Sequence, residues 1–226
     1  MTKKLLERGF MEFAAQISSG SFSFPHDKLL KAAEDSQIHT FGWPIGLVLN
    51  NSSDRPKPYA EGIKTEIHAK HRKDEESYDY WNLRVNGDYY VISTLFEDQR
   101  SENKLFLDTR IIRITETFIR TAALYERLGA GAGTLITMNL KHGGLKGRTL
   151  TAANPLRAFS FSYDRVCSEN EVESKFTIPL GQIEGNVDDL VFKTVSDLTM
   201  MFDFFSPSRE KVVSPIISAF LSGKIG

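Results

Sequence analysis

Cysteine is all but missing from this chain: Cys167 is the only one in 226 residues. A single thiol excludes an intramolecular disulfide and any CxxC zinc or redox pair, and it suits a reducing compartment. No apolar run approaches the roughly 20 residues that span a bilayer. The opening Met1-Thr2-Lys3-Lys4-Leu5-Leu6 is interrupted at once by Glu7, Arg8 and Glu12, so it lacks the apolar centre of a secretory signal. A cytoplasmic protein that avoids the membrane is expected. Also absent are GxxxxGK[ST], a GxGxxG following a strand, HExxH and GxSxG. P-loop, dinucleotide, zincin and hydrolase-elbow chemistry therefore has no local motif to rest on, and no cofactor is implied. A net charge of −1 argues against wholesale binding of polyanions.

What is present suits a globular domain. Residues are 41% hydrophobic and 25% charged, enough to bury a real core, and the length fits one large domain spanning 1–226. The mean charge hides two blocks. From Arg127 to Tyr163 there is no acid, while Lys141, Lys146, Arg148 and Arg157 add to Arg127. From Cys167 to Ser206 acids dominate, with Glu169, Glu171, Glu173, Glu184 and four aspartates against Lys175 and Lys193. The blocks can pair within one molecule, pair across a homodimer, or form separate surfaces.

Periodicity assigns the elements. Leu5, Leu6, Phe10, Phe13, Ala14 and Ile17 recur at helical spacing up to Gly20, and a second helix follows from about Pro25 to Ser36, so residues 1–37 read as helical. Ile38 to Leu49 is apolar and reads as a strand with an irregular entry. Ile63 to His71 alternates, as a one-sided strand does. Asn86-Gly87 predicts a type I′ hairpin in which Leu83 faces Tyr90 and Trp81 faces Ile92. A long helix, capped by Asp108 or Thr109, is predicted over 109–128 with Gly129 ending it. Thr134 to Leu140 predicts a strand, the glycine-rich loop a turn, and Arg148 to Ala152 the returning strand. Phe159 to Tyr163 alternates, Lys175 to Ile178 is β-compatible, and a hairpin is expected around Ser168 to Ser174. Two helices over 187–222 complete the chain. The expected fold is α+β, with a mostly antiparallel sheet over 38–178 and helices packed around it.

Four constellations could carry chemistry. Lys141-His142-Gly143-Gly144-Leu145-Lys146-Gly147-Arg148 combines a flexible backbone with cationic donors, which suits phosphate or a nucleic-acid backbone; the alternative is a hairpin turn with solvated cations. Glu97, Asp98 and Asp108, near Arg100 and Arg110, could hold a divalent metal for phosphodiester hydrolysis, or could fasten a loop and cap the following helix. Glu66, His68 and His71 form an ExHxxH array, but on a strand 66 and 68 share a face that 71 leaves, so a solvated edge is the favoured reading. His39 beside an apolar segment reads as a core histidine. The aromatics Phe41, Trp43, Tyr78, Tyr80, Trp81, Tyr89 and Tyr90 could line a pocket or a stacking platform.

The runs HTFGWPIG (His39 to Gly46), YDYW (Tyr78 to Trp81), STLFEDQR (Ser93 to Arg100), LFLDTRI (Leu105 to Ile111) and KHGGLKGRTLT (Lys141 to Thr151) carry a resemblance. They resemble the uncharacterised region that follows a Schlafen-like, AlbA-type DNA-binding domain in bacterial regulatory proteins. The likeness covers Ile38 to Pro155, and the DNA-binding module itself has no counterpart here. What the resemblance implies is a bacterial sensing or interaction module, with no catalytic residue to transfer. A non-enzymatic binding module of a bacterial regulatory or defence-type system is therefore expected, its partner a protein or an anionic ligand, with nucleic acid among the candidates. The alternative is a metal-dependent phosphodiesterase or nuclease using Glu97, Asp98 and Asp108.

Overall fold

A computed structural model describes residues 8–51, 53–70, 76–154 and 163–225. The strands are β1 (Phe10–Ile17), β2 (Lys57–Tyr59), β3 (Gly62–Lys70), β4 (Glu76–Arg84), β5 (Tyr89–Thr94), β6 (Lys104–Phe106), β7 (Leu135–Gly143), β8 (Thr149–Thr151) and β9 (Glu171–Pro179). The α-helices are α1 (His26–Asp35), α2 (Leu107–Leu128), α3 (Val187–Met200) and α4 (Ser214–Leu221). Seven strands form one sheet in the order β2-β3-β4-β5-β1-β7-β9, and every pairing in it is antiparallel. The short β6 and β8 pair in parallel as a second sheet. The chain is thus α+β with a mostly antiparallel sheet. No helix among the described residues is long and apolar enough to cross a membrane.

The helical N-terminal segment is overturned at its first element. Residues Phe10–Ile17 form a strand, and it sits in the interior of the sheet, bonded to β5 on one side and β7 on the other. Its apolar residues fit both periods: Met11, Phe13 and Ala15 are buried on one face, while Glu12, Ala14 and Gln16 line the other. Two ladders reaching residues 89–94 and 136–143 decide between the periods, and neither partner is visible locally. The sheet therefore begins well before residue 38. The predicted second helix stands, as α1.

The Asn-Gly hairpin forms with a register one residue away from the two-residue turn. Leu83 pairs with Tyr89, Trp81 with Val91, and Tyr80 with Ile92. Asn86 keeps a negative φ and only Gly87 is left-handed, at 91°. The loop is therefore three residues, Val85-Asn86-Gly87, with the glycine supplying the αL position. Because side chains alternate, that single slip places Tyr89 beside Trp81 in the core and leaves Tyr80 and Tyr90 on the opposite face.

Helix α2 is the spine of the core. It starts at Leu107, two residues before the predicted start, and ends at Gly129 with φ 83°. Ile111, Phe118, Leu124 and Tyr125 are fully buried, each apolar side chain worth about 2–3 kcal/mol against exposure. Burial extends almost round the helix, because the sheet covers one side while α1, α3 and α4 pack on the others. Asp108 sits inside the first turn; its carboxylate accepts the N–H groups of Thr109, Ala153 and Asn154, tying the chain after β8 to the helix start.

Three further expectations change. β8 does not return alongside β7 but pairs with β6, so Lys141 to Arg148 is no hairpin turn. Among the described residues no hairpin turn forms at 168–174, because Glu171 already begins β9, which pairs with β7 over its whole length, Leu135 facing Pro179 and Gly143 facing Glu171. Ile38 to Leu49 contains no strand. Residues 159–162 of the predicted alternating run lie outside the described residues. The C-terminal helices form as α3 and α4, with Pro215 in the first turn of α4, directly after a π-helical turn over Arg209–Val213.

Candidate functional site

The irregular segment 38–49 is held as a strap across the helix side of the sheet. Its backbone groups find side-chain partners where a strand would find a ladder. Arg113 donates to the Trp43 carbonyl at 2.8 Å, and Glu116 accepts the Ile45 N–H at 2.7 Å. Arg120 donates to the carbonyls of Gly46 (2.9 Å) and Ala33 (3.3 Å) and to the Tyr89 hydroxyl. Trp81 donates its indole N–H to the Leu47 carbonyl, and Gln37 accepts the Val48 N–H, both at 2.8 Å. Positions 113, 116 and 120 share one flank of α2, which is how a helix can clamp an extended segment. His39, expected in the core beside a strand, is exposed because the strap carries it outward.

Between strap, helix and sheet lies a cavity of about 230 Å³. Register explains its position. On the helix side, Ile67, Asp79, Ser93, Met11, His142 and Val172 form one row across the sheet. Ile67, Met11 and His142 are buried, whereas Asp79 and Ser93 are only partly covered and open into the space. Trp43, Pro44, Ile45 and Leu47 of the strap form one wall, and Phe96 and Gln99 of the 3₁₀ turn Phe96–Gln99 form another. Arg110 and Arg113 approach from α2. Trp43, 49% exposed, stands at the mouth.

The charges around this cavity are unequal. Arg110 is paired with the fully buried Glu97: Nη2 donates to Oε2 at 2.9 Å, and Nε lies 2.8 Å from Oε1 with its N–H turned off that oxygen. Arg113 is paired with Glu116 at 2.7 Å. Asp79 has no hydrogen bond or ion pair with any described residue. Burial pushes its carboxyl up to about 6, an effect that the positive charge of Arg113 only partly offsets. Glu116 is likewise raised by burial, against the pull of Arg113 and of the Ile45 N–H. His142, fully enclosed and close to Arg110, is pushed down to about 3 and is neutral at ordinary pH.

The glycine-rich constellation is taken apart by the fold. Lys141 projects to the helix-free face of the sheet, where it meets Glu12 at 3.0 Å and Glu171 at 3.8 Å. That second contact joins the basic block to the acidic one within the chain. His142 points the opposite way, into the core. Gly143 lies under the Phe10 ring, and a Cβ on Gly144 would come within 2.5 Å of the Arg8 carbonyl oxygen, so close packing requires both glycines. Arg148 is buried, paired with Asp98 at 2.6 Å and bonded to the carbonyls of Gly144 and Lys104. Lys146 is exposed.

The carboxylates of the nuclease alternative are equally committed. Glu97 holds Arg110 and the Phe106 N–H, Asp98 holds Arg148 and the Gly9 N–H, and Asp108 serves the start of α2. No group of three or more His, Cys, Asp or Glu among the described residues is arranged to hold a metal. Glu66 and His68 sit together on the open face at 3.1 Å, and His71 lies outside the described residues. The aromatic set divides. Trp81 and Tyr89 are core; Tyr80 and Tyr90, with ring centroids 6.2 Å apart, flank a shallow groove over Ala14 on the helix-free face. Cys167 is buried, and burial pushes its thiol up, away from thiolate chemistry.

No family model, curated protein or solved structure matches the chain. Asp79 stands inside the YDYW run but belongs to none of the constellations that residue type and spacing single out. The signal was there: Ser77, Asp79, Trp81 and Leu83 alternate onto one face, which puts an acid on the same side as the core tryptophan.

Proposed function

We propose that this protein is a small-ligand-binding module, consistent with a sensing role, and that its ligand enters the cavity between the strap and the end of the sheet. The observation that carries this reading is Asp79. A carboxylate held in a half-buried position with no partner among the described residues costs stability, and such a cost at the floor of a preformed cavity is a mark of a group kept for a ligand. The walls suit the same purpose, with apolar side chains on the strap and hydroxyl and amide groups from Ser77, Ser93 and Gln99.

Fluorescence offers a direct test. The chain has two tryptophans, of which Trp81 is enclosed and Trp43 stands at the mouth. A fragment library read by ligand-observed NMR, with hits confirmed by Trp43 emission, is expected to give binders that are lost in Asp79→Asn and weakened in Trp43→Ala. Hits indifferent to both substitutions would remove the cavity as the binding site.

A further inference from the structure

Resting on the reading of this cavity as a ligand site, we infer that its ligand is a small organic cation whose ammonium or amidinium group sits against Asp79 and whose apolar body lies along the strap. Charge balance leads to this class. Arg110 is matched by Glu97 and Arg113 by Glu116, so the helix flank of the cavity is internally neutral. The strap from Gly42 to Val48 contributes no ionisable side chain. His142, in the same row of the sheet, is neutral because of its burial. Among the described residues around the cavity, Asp79 is then the single uncompensated charge, and it is negative. An anionic ligand would add a further negative charge beside Asp79, Glu97 and Glu116. A cation adds no like charge there, and it gives Asp79 a counter-charge that no described residue supplies. Size and lining define the remainder: about 230 Å³ accommodates a single ring with a short side arm, and Trp43, Pro44, Ile45 and Met11 offer apolar and aromatic contact for it.

Four isosteric probes separate the possibilities: benzylamine, benzamidine, benzyl alcohol and benzoate, each titrated at millimolar concentration against the full chain by calorimetry and Trp43 emission. Benzylamine and benzamidine are expected to bind, and benzoate is not. Asp79→Asn should weaken both cations at least tenfold while keeping native circular dichroism. Benzylamine affinity should fall about tenfold between about pH 7 and about pH 5, as the carboxyl takes up its proton, and the Asp79→Asn protein should lack that dependence. Glu116, the other carboxyl raised by burial beside Arg113, is unchanged in that variant, so a pH dependence that persists in it overturns the assignment to Asp79. Benzoate or benzyl alcohol binding in an Asp79-dependent manner, with the amines silent, overturns the cation and leaves the cavity standing as a ligand site. Silence from all four probes overturns the inference, and the fragment screen then decides the cavity by itself.

Discussion

Replacing Asp79 by asparagine should make the ligand-free protein more stable at neutral pH, and the gain should vanish in acid. In the unfolded chain this carboxyl titrates near 3.8; in the fold, burial raises it to about 6. Between those values the folded state keeps a proton that the unfolded state has lost, so stability is greatest in acid and declines as pH rises from about 4 to about 6. Above that window both states are ionised and the fold carries the whole cost of confining the charge. At 1.36 kcal/mol per pH unit, the difference between 3.8 and about 6 amounts to about 3 kcal/mol. The carboxyl opens towards solvent through the cavity, which reduces this to about 1–3 kcal/mol. Asparagine fills nearly the same volume without the charge. Urea unfolding of both proteins at several pH values between about 4 and about 7.5 is the assay, because the difference between them cancels every other carboxylate. The expected difference is near zero at the acid end and favours Asp79→Asn by about 1–3 kcal/mol at the neutral end. Parallel pH profiles, or a variant less stable at neutral pH, would refute the claim that Asp79 is desolvated and unpartnered.

Other substitutions probe the supports of the site. Glu97→Gln leaves the Arg110 guanidinium buried without its counter-charge and should cost about 3–5 kcal/mol in chemical denaturation, most of it recovered in the Glu97→Gln/Arg110→Met double variant. Arg120→Met removes the bonds to Gly46, Ala33 and Tyr89 and should cost about 3 kcal/mol, with the Ile45 and Val48 amides exchanging faster while those of β7 keep their protection. Arg148→Ala should cost about 3–5 kcal/mol by stranding Asp98, whereas Lys146→Ala should stay within about 0.5 kcal/mol of the parent. Equal effects at 146 and 148 would contradict the buried placement of Arg148.

Local patterning was enough for several elements. The stripe of α2, its glycine stop, the alternation of β3 and the helices near the C-terminus follow from side chains within a few positions of one another, which is the range over which periodicity and caps act. The α+β class followed from those elements. The same range explains the failures. β1 has a pattern compatible with both helix and strand, and partners some 80 and 125 residues away chose the strand. The strap is apolar like a strand, yet its backbone is bonded by Arg113, Glu116 and Arg120, which no local window contains. The hairpin register turned on whether Asn86 takes a positive φ, and a dipeptide motif leaves that open.

The candidate site shows the division most clearly. Sequence by itself placed charged groups and glycines near residues 97–110 and 141–148, and it marked the HTFGWPIG and YDYW runs. Only the tertiary structure decided which charges are satisfied. Long-range contacts pair Arg148 with Asp98 and Glu97 with Arg110, spending those groups on the fold, and leave Asp79 without a partner among the described residues beneath the strap. Whether a charge is available for a ligand depends on burial and on partners across the chain, and both come into being only when the strands and helices meet.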